Sequence, residues 1–318
     1  METTTPLLPT DAASARVLKM LRKRPQTKKK SPNMAKMKTI FASTDFSSTG
    51  NNALKFAVQY AASLKCNLVV FHVVRMPPIF RSPTTESAFL QLQKKEESTQ
   101  KRRLEDQLNK IYRDVHLKKN PRRVKVAVKN GIFVTETLVA AASTHKADLI
   151  IIGTHGATGL KLFGSTSSEV IFKAECPVLA IPPRYRYRKV ETMVYASDFK
   201  NLVNELRLIV PIASPVRTLI EIVNLNGKEI SSPIVDEKYL IKQVKYKQIK
   251  VVIQKERQGL TIIEQLQSYL KKRRPEAFIM FPEERSLLDK LFVRSKTEEL
   301  VYQIKFPLLT FLKSRVKK

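Results

Sequence analysis

Half of the chain's eight glycines lie within twelve residues, at Gly153, Gly156, Gly159 and Gly164. They follow the apolar run 148–152, which predicts a buried strand, and they precede a predicted helix from Ser167. Glycine lets backbone amides turn outward and lets a ligand approach without a Cβ in the way. A phosphate is the usual ligand of such a junction, because the amides at a helix start carry partial positive charge. The alternative is that the glycines only make the turn and let helix pack on strand, and spacing alone leaves both readings open.

Strand-like and helix-like patterns alternate along the chain from Lys38 onwards. Short apolar runs predict strands at residues 39–44, 68–74, 124–128, 148–152 and 177–182. Helical spacing of apolar residues predicts helices at residues 51–64, 86–115, 134–145 and 167–175. This alternation predicts an α/β fold with a doubly wound parallel sheet and right-handed crossovers.

The second part of the chain repeats the first in altered form. The run Thr44-Asp45-Phe46-Ser47 is echoed by Ser197-Asp198-Phe199-Lys200. Gly164-Ser165 is echoed by Arg294-Ser295, and each pair begins thirteen residues before a run of proline and apolar residues. We therefore predict a basic, disordered tail over residues 1–36, a first domain over 37–183, a linker over 184–189 and a degenerate second domain over 190–318.

The second copy lacks the glycines. In place of Gly153-Thr154-His155-Gly156 it has Phe281-Pro282-Glu283-Glu284. Carboxylates at this point would repel a phosphate, and Pro282 has no amide to donate. We expect phosphate binding, if it occurs, in the first copy only.

The net charge is +30, and the basic excess is spread over the whole chain. Residues 1–36 carry 9 basic and 2 acidic side chains, residues 37–183 carry 21 and 11, and residues 184–318 carry 28 and 15. This distribution predicts weak, non-specific, salt-dependent attraction to nucleic acid rather than one dedicated patch. The charge run in the tail is either an inert solvated segment or a nucleic-acid or membrane-surface arm.

The chain shows no sign of a membrane span, a disulfide framework or a metal site. No apolar run approaches the ~20 residues that a bilayer span requires. Cys66 and Cys176 are the only cysteines, both in apolar or strand-like surroundings, and the four histidines are scattered. We therefore expect no membrane partner, no bound metal in the protein itself, and a location in a reducing cytoplasm.

These residues resemble the universal stress protein family, in a tandem form with two domains. The resemblance rests on the opening run 38–47, on Phe71-His72-Val73 and on residues 147–183. In the second half, residues 285–295 are similar to the altered version found in the C-terminal domains of tandem members.

The resemblance implies a five-stranded parallel sheet of order 3-2-1-4-5 between helices in each domain. In that order strands 1 and 4 lie side by side where the winding reverses, and ligands bind beyond their carboxyl ends. Asp45 follows the first strand and Gly153 the fourth, so the resemblance brings them together at this switch point. It also places strand 177–181 at a sheet edge, where the two halves pair as a pseudo-dimer or two chains pair as a homodimer.

ATP-binding members of the family have the pattern Gly-x2-Gly-x9-Gly-Ser/Thr, which maps onto Gly153, Gly156, Gly164 and Ser165. Only seven residues separate Gly156 from Gly164 here, so the loop is two residues shorter. The resemblance also implies that Thr44 and Asp45 lie near the adenosine, Val73 beside the base, and Thr166 with Ser165 near the phosphates. The implied cofactor is ATP, with AMP or ADP as alternatives and Mg²⁺ as a companion ion.

Each implied role has a structural alternative. Asp45 can serve only as a turn residue, and Ser165 and Thr166 can serve only as helix caps.

The resemblance predicts a stress-response regulatory protein in which nucleotide binding orders the loop 153–166 and changes a surface that unidentified protein partners contact. We find no Ser/His/Asp arrangement, metal triad or paired carboxylates, so we expect no efficient catalysis and at most slow ATP hydrolysis. The alternatives are an interaction module of the same fold that binds no nucleotide, and a basic polyanion-binding protein.

Overall fold

The computed structural model describes residues 37–76, 83–154, 165–225, 236–255, 257–282 and 306–312. Within these ranges, helices alternate with strands of one mixed sheet, which confirms the predicted α/β class. The predicted tail 1–36 lies outside the described residues. So does the run 285–295, which carried part of the resemblance and, at Arg294-Ser295, part of the internal repeat.

Five strands and four helices make the first half of the sheet. The strands are β1 (Thr39–Ser43), β2 (Asn67–Arg75), β3 (Val124–Gly131), β4 (Leu149–Gly153) and β5 (Val178–Ile181). The helices are α1 (Ser48–Leu64), α2 (Pro83–Asp114), α3 (Val134–Thr144) and α4 (Ser165–Lys173). Each predicted element of this half is present, with ends that differ by a few residues.

The second half has five strands and, within the described residues, three α-helices and one turn of 3₁₀ helix. The strands are β6 (Thr192–Ala196), β7 (Leu219–Asn224), β8 (Ile249–Ile253), β9 (Ala277–Met280) and β10 (Leu308–Thr310). The helices are α5 (Leu202–Ala213), α6 (Glu237–Val244), α7 (Ile262–Arg273) and the 3₁₀ turn Ser214–Val216.

All ten strands belong to one sheet with the order β3-β2-β1-β4-β5-β10-β9-β6-β7-β8. Counted from its own first strand, each half therefore has the order 3-2-1-4-5, as the resemblance implied. Strands within each half are parallel. The winding reverses between β1 and β4 in the first half and between β6 and β9 in the second, which gives the sheet two switch points.

The two halves join through β5 and β10, which pair antiparallel. The register sets Leu308 opposite Ala180 and Leu309 opposite Leu179, and the Thr310 hydroxyl donates to the Val178 carbonyl over 3.2 Å. Pairing between the halves of one chain is thus present in the structure, but it makes one continuous mixed sheet rather than two separate parallel ones. We refer to this pairing as the seam.

A hydrophobic core covers each face of the sheet and runs across the seam. One core includes Leu179 and Leu309 together with buried residues of α1, α2, α5 and α6. The other includes Val178 and Leu308 together with buried residues of α3, α4 and α7. Because side chains alternate between the faces of a strand, β5 and β10 contribute to both cores at once.

The two outer strands, β3 and β8, are each protected by a glutamate from the preceding helix. Glu97 of α2 accepts a hydrogen bond from the Asn130 amide over 2.9 Å, and Glu237 of α6 accepts one from the Val251 amide over 2.8 Å. Capping an amide on an open strand edge reduces the tendency of that edge to pair with another chain.

The predicted linker 184–189 packs against both halves. The Tyr187 ring lies 5.2 Å from Phe56 of α1, and the Tyr185 ring lies 6.1 Å from it. The Tyr185 hydroxyl donates to the carbonyl of Glu276, just before β9. The connection therefore adds contacts between the halves next to the seam.

We predict that Leu309→Ala lowers the free energy of unfolding by about 3 kcal/mol, because Leu309 is fully buried at the seam and its loss leaves a cavity. Urea unfolding should still show one transition, since both cores cross the seam. Leu260→Ala is the control, because 41% of Leu260 is exposed, and its effect should stay within about 0.5 kcal/mol. Equal effects of the two substitutions, or separate unfolding of the halves in the unsubstituted protein, would contradict this account.

Candidate functional site

The first switch point is formed by the ends of β1 and β4. The register pairs Ala42 with Ile151, and both strands run in the same direction. Thr44 and Asp45 follow β1, and Gly153 is the last residue of β4. These predicted site residues therefore lie at the same end of the sheet.

A network of short-range hydrogen bonds shapes the turn from β1 into α1. The Thr44 hydroxyl accepts from the Phe46 amide over 3.1 Å, and Asp45 Oδ1 accepts from the amide and hydroxyl of Ser47 over 3.0 and 2.5 Å. Ser47 in turn caps α1 by accepting from the Gly50 amide. Phe46 has a φ of 62°, in the left-handed region, and the surrounding bonds hold it there.

Asp45 therefore has a structural role in this turn, as the alternative interpretation required. It is nevertheless exposed, and its second oxygen, Oδ2, has no hydrogen-bond partner within the described residues. Thr44 is buried, and its hydroxyl is occupied within the turn. Of these two residues, Asp45 is the one with an acceptor available to a ligand.

Two glycines allow the start of α1 to approach the switch point closely. A Cβ on Gly153 would lie 3.0 Å from the backbone carbon and oxygen of Thr49, and one on Gly50 would lie 2.5 Å from Asp45 Oδ1. Close helix packing thus explains why position 153 is a glycine. Sequence reasoning missed Gly50, although a glycine in the first turn of a helix was a usable signal.

His72 fixes the carbonyl at the end of β1. Its Nδ1 lies 2.8 Å from the Thr44 carbonyl oxygen, so Nδ1 carries the proton and donates it. Burial lowers the pKa of His72 below its usual value and outweighs the opposing effects of this hydrogen bond and of Asp45. The ring also lies 4.5 Å from the Phe46 ring, whose other neighbour is the Arg103 guanidinium, 4.2 Å from the ring centre. The sequence analysis used His72 only to identify a strand.

Val73 is not at the end of its strand, because β2 continues to Arg75 through pairing with β3 as far as Gly131. The strand thus ends one residue beyond the predicted range 68–74. On its other side, β2 outlasts β1, whose last partner in the register is Phe71. The Phe71 carbonyl accepts from the Thr44 amide and therefore points toward β1. Backbone groups two residues apart in a strand point to the same side, so the Val73 amide and carbonyl also point to that side, beyond the end of β1.

The start of α4 is tied to the end of β4. The buried Ser167 hydroxyl donates to the Gly153 carbonyl over 2.7 Å. Helix α4 begins at Ser165, two residues earlier than predicted, and Thr166 is half-buried in its first turn. Gly156 and Gly164 lie outside the described residues.

The second switch point repeats the turn of the first. The Ser197 hydroxyl accepts from the Phe199 amide over 3.0 Å, and Asp198 Oδ1 accepts from the Lys200 amide over 3.1 Å. Phe199 has a φ of 65°, close to that of Phe46. Asn224 takes the place of His72, since its side-chain amide donates to the Ser197 carbonyl over 3.0 Å.

The second switch point differs in having a cluster of aromatic side chains at the end of β9. The register of β9 against β6 puts Phe281 in the place of Gly153. Its ring lies 5.5 Å from the Tyr195 ring and stacks on Phe311 at 4.9 Å. The Tyr195 hydroxyl donates to the buried carboxylate of Glu205. Aromatic side chains thus lie where the first half has Gly153 packed against Thr49.

Neither a metal cluster nor a membrane span is found in the described part of the chain. No three His, Cys, Asp or Glu side chains in those ranges come together as metal ligands. No described helix is long and apolar enough to cross a bilayer. Cys66 and Cys176 are not joined by a disulfide.

The strand order and its two switch points define a doubly wound α/β protein. The chain belongs to the universal stress protein family, whose sequence model matches residues 36–182. One universal stress protein of Methanocaldococcus jannaschii is 30% identical over 148 residues, which cover 45% of this chain and 81% of that protein. Another from the same organism is 31% identical over 155 residues, covering 45% of this chain and 94% of that protein.

Solved structures share the fold over both halves. A universal stress protein from Archaeoglobus fulgidus covers 87% of this chain and 97% of its own, with a TM-score of 0.53 at 11% identity. A protein from Pseudomonas aeruginosa covers 90% of this chain and 97% of its own, with a TM-score of 0.52 at 12% identity. At these identities the likeness concerns the fold alone.

We predict that His72→Val lowers the free energy of unfolding near neutral pH by about 1–3 kcal/mol, because the Thr44 carbonyl loses its donor. His72→Asn should lose less, since Asn224 makes the same bond in the second half. The measurement is urea unfolding of the three proteins. Equal losses for both substitutions would show that the hydrogen bond is not what matters at this position.

The same set tests the pH dependence. The pKa of His72 is lower in the folded protein than in the unfolded chain, so its contribution should be complete above about pH 6.5 and decrease as the pH falls through the folded pKa. His145, whose pKa is also lowered mainly by burial, is present in both the unsubstituted protein and His72→Asn. The difference between the two curves therefore isolates His72, and parallel curves would contradict the assignment.

Proposed function

We propose that the protein is a stress-response regulatory protein that binds an adenine nucleotide at the first switch point, without efficient catalysis. The observation that carries this proposal is the meeting of Asp45 and Gly153 at the ends of adjacent parallel strands. Ligands of open α/β sheets bind in the crevice at such a point. ATP is the leading ligand, with ADP and AMP as alternatives.

The groups around the crevice suit the parts of a nucleotide. Asp45 Oδ2 is an exposed acceptor of the kind that ribose hydroxyls need. The Val73 amide and carbonyl, directed past the end of β1, suit hydrogen bonding to the edge of a base. Val73 itself is buried in the core, so its backbone rather than its side chain would take this role.

The phosphates would lie toward the start of α4, where Ser165 and Thr166 stand in the first turn. Free amides at a helix start attract anions, and Gly156 and Gly164 of the shortened loop are assigned to the same role. In this proposal Mg²⁺ accompanies ATP and is held mainly by phosphate oxygens and water.

The second half is proposed to be a degenerate copy of the domain that binds no nucleotide. Its support is the repeated strand order and turn geometry, combined with Phe281 in the place of Gly153.

One observation favours the alternative that the first half is an interaction module without a nucleotide. Packing against Thr49 explains the glycine at 153 without any ligand. At most slow hydrolysis of ATP is expected in either case, and the rate of phosphate release from ATP measures it. The cytoplasmic location likewise remains part of the proposal.

Calorimetric titration of the full chain with ATP, ADP and AMP tests the proposal. We expect saturable binding, and Asp45→Asn should weaken it about tenfold by removing a charged acceptor. Asparagine can keep the turn to Ser47, so the fold should survive. Asp198→Asn is the matched control, because it makes the same change in the same turn of the second half.

Absence of binding with all three nucleotides would favour the interaction module instead. An equal effect of Asp45→Asn and Asp198→Asn would remove Asp45 from the site while leaving nucleotide binding itself in place.

A further inference from the structure

A concave basic surface lies in the second half, beside α7. It has a volume of about 290 Å³ and is lined by the ends of β7 and β8 and one side of α7. We refer to it as the α7 groove. Its polar lining comes from Gln254, Arg257, Ser268, Tyr269, Lys272 and Arg273.

The groove is positively charged. Three of its lining residues are cations, Arg257, Lys272 and Arg273, and none of the described residues that line it is acidic. Neither Arg257 nor Lys272 forms an ion pair within the described part of the chain. Two cations at one concave surface without counter-charge favour an anionic ligand there.

Arg273 is held in place by a buried carboxylate behind the groove. Glu221 of β7 is 1% exposed and accepts from Arg273 Nε over 2.9 Å and from the Tyr269 hydroxyl over 2.6 Å. Lys250 lies 3.7 Å from its other oxygen. Burial acts to raise the pKa of Glu221, but these partners outweigh it and hold the pKa below its usual value.

This buried cluster has no counterpart in the first half. The strand registers put Val69, a buried apolar residue, at the position in β2 that Glu221 has in β7. Burying a carboxylate destabilises a fold unless the carboxylate is paired, and an apolar residue such as Val69 fills a sheet face without that desolvation penalty. Its result is an arginine and a tyrosine fixed at the wall of the groove.

The loop 257–260 at one edge of the groove is also held in place by hydrogen bonds. The buried Gln265 accepts from the Arg257 amide over 3.3 Å and donates to the Leu260 carbonyl over 3.2 Å. These bonds tie the backbone of the loop 257–260 to α7, and Arg257 of the loop and Lys272 of the helix line the same groove. A loop that is already held in place loses less conformational freedom when an anion binds.

We propose that the α7 groove binds the phosphate group of a small phosphorylated ligand. Arg257 and Lys272 contact the phosphate oxygens, with Arg273 adding positive charge from the wall. Leu225 and the Tyr269 ring provide apolar surface for the rest of the molecule. The site is separate from the first switch point, lies on the second half of the chain, and does not depend on nucleotide binding at the first switch point.

The test is calorimetric titration of the full chain with sodium pyrophosphate. We expect binding that weakens about tenfold in Lys272→Gln and in Arg257→Gln, since each loses one charge-assisted hydrogen bond. Lys271→Gln is the matched control, because it removes the same charge from the adjacent residue of α7, which is not among the described lining residues. Thermal unfolding midpoints of all variants should stay near that of the unsubstituted protein, because these side chains are exposed.

Two results would overturn the proposal. One is the absence of any pyrophosphate binding that depends on Lys272 or Arg257. The other is an equal loss in Lys271→Gln, which would mean a general effect of net charge. A parallel titration with a short single-stranded RNA lacking terminal phosphates distinguishes a small phosphorylated ligand from the phosphates of a nucleic-acid backbone. RNA binding that depends on Lys272, without pyrophosphate binding, would reject the small ligand in favour of nucleic acid.

Discussion

The antiparallel pairing of β5 with β10 is the contact on which the rest of the structure depends. Both strands are short, and in a separate half each would be an open edge with unpaired amides and carbonyls. Pairing removes both edges from solvent and lets each hydrophobic core extend over the whole sheet. The remaining edges, β3 and β8, are the ones protected by Glu97 and Glu237.

The two switch points of this sheet share their turn geometry but differ in the side chains beside it. The turn geometry is the same to within a few tenths of an ångström in its hydrogen bonds, with Asn224 in place of His72. Phe281 stacks on Phe311 at the position where the first half has Gly153 packed against Thr49. The second half has instead placed charge beside α7, where the first half has an apolar face.

The sequence predicted those features that depend on local patterns. Apolar periodicity located the strands and helices of the first half, and the repeat of Asp45 in Asp198 identified two equivalent turns. The strand order came from the family resemblance, because nothing in periodicity says which strands are neighbours. The roles of His72, Gly50 and Glu221 were missed, since each depends on a partner from another strand or helix that only the register reveals. The glycine loop, from which the functional prediction began, extends beyond the described residues at Gly156 and Gly164.

The direction of the central pairing has a consequence for how the molecule meets other proteins. β5 runs with the strands of the first half and β10 with those of the second, while the two run opposite to each other. The strands of the two halves therefore finish at opposite extremities of the molecule. A protein docked over Asp45 would therefore leave the neighbourhood of Asp198, at the opposite edge of the sheet, uncovered.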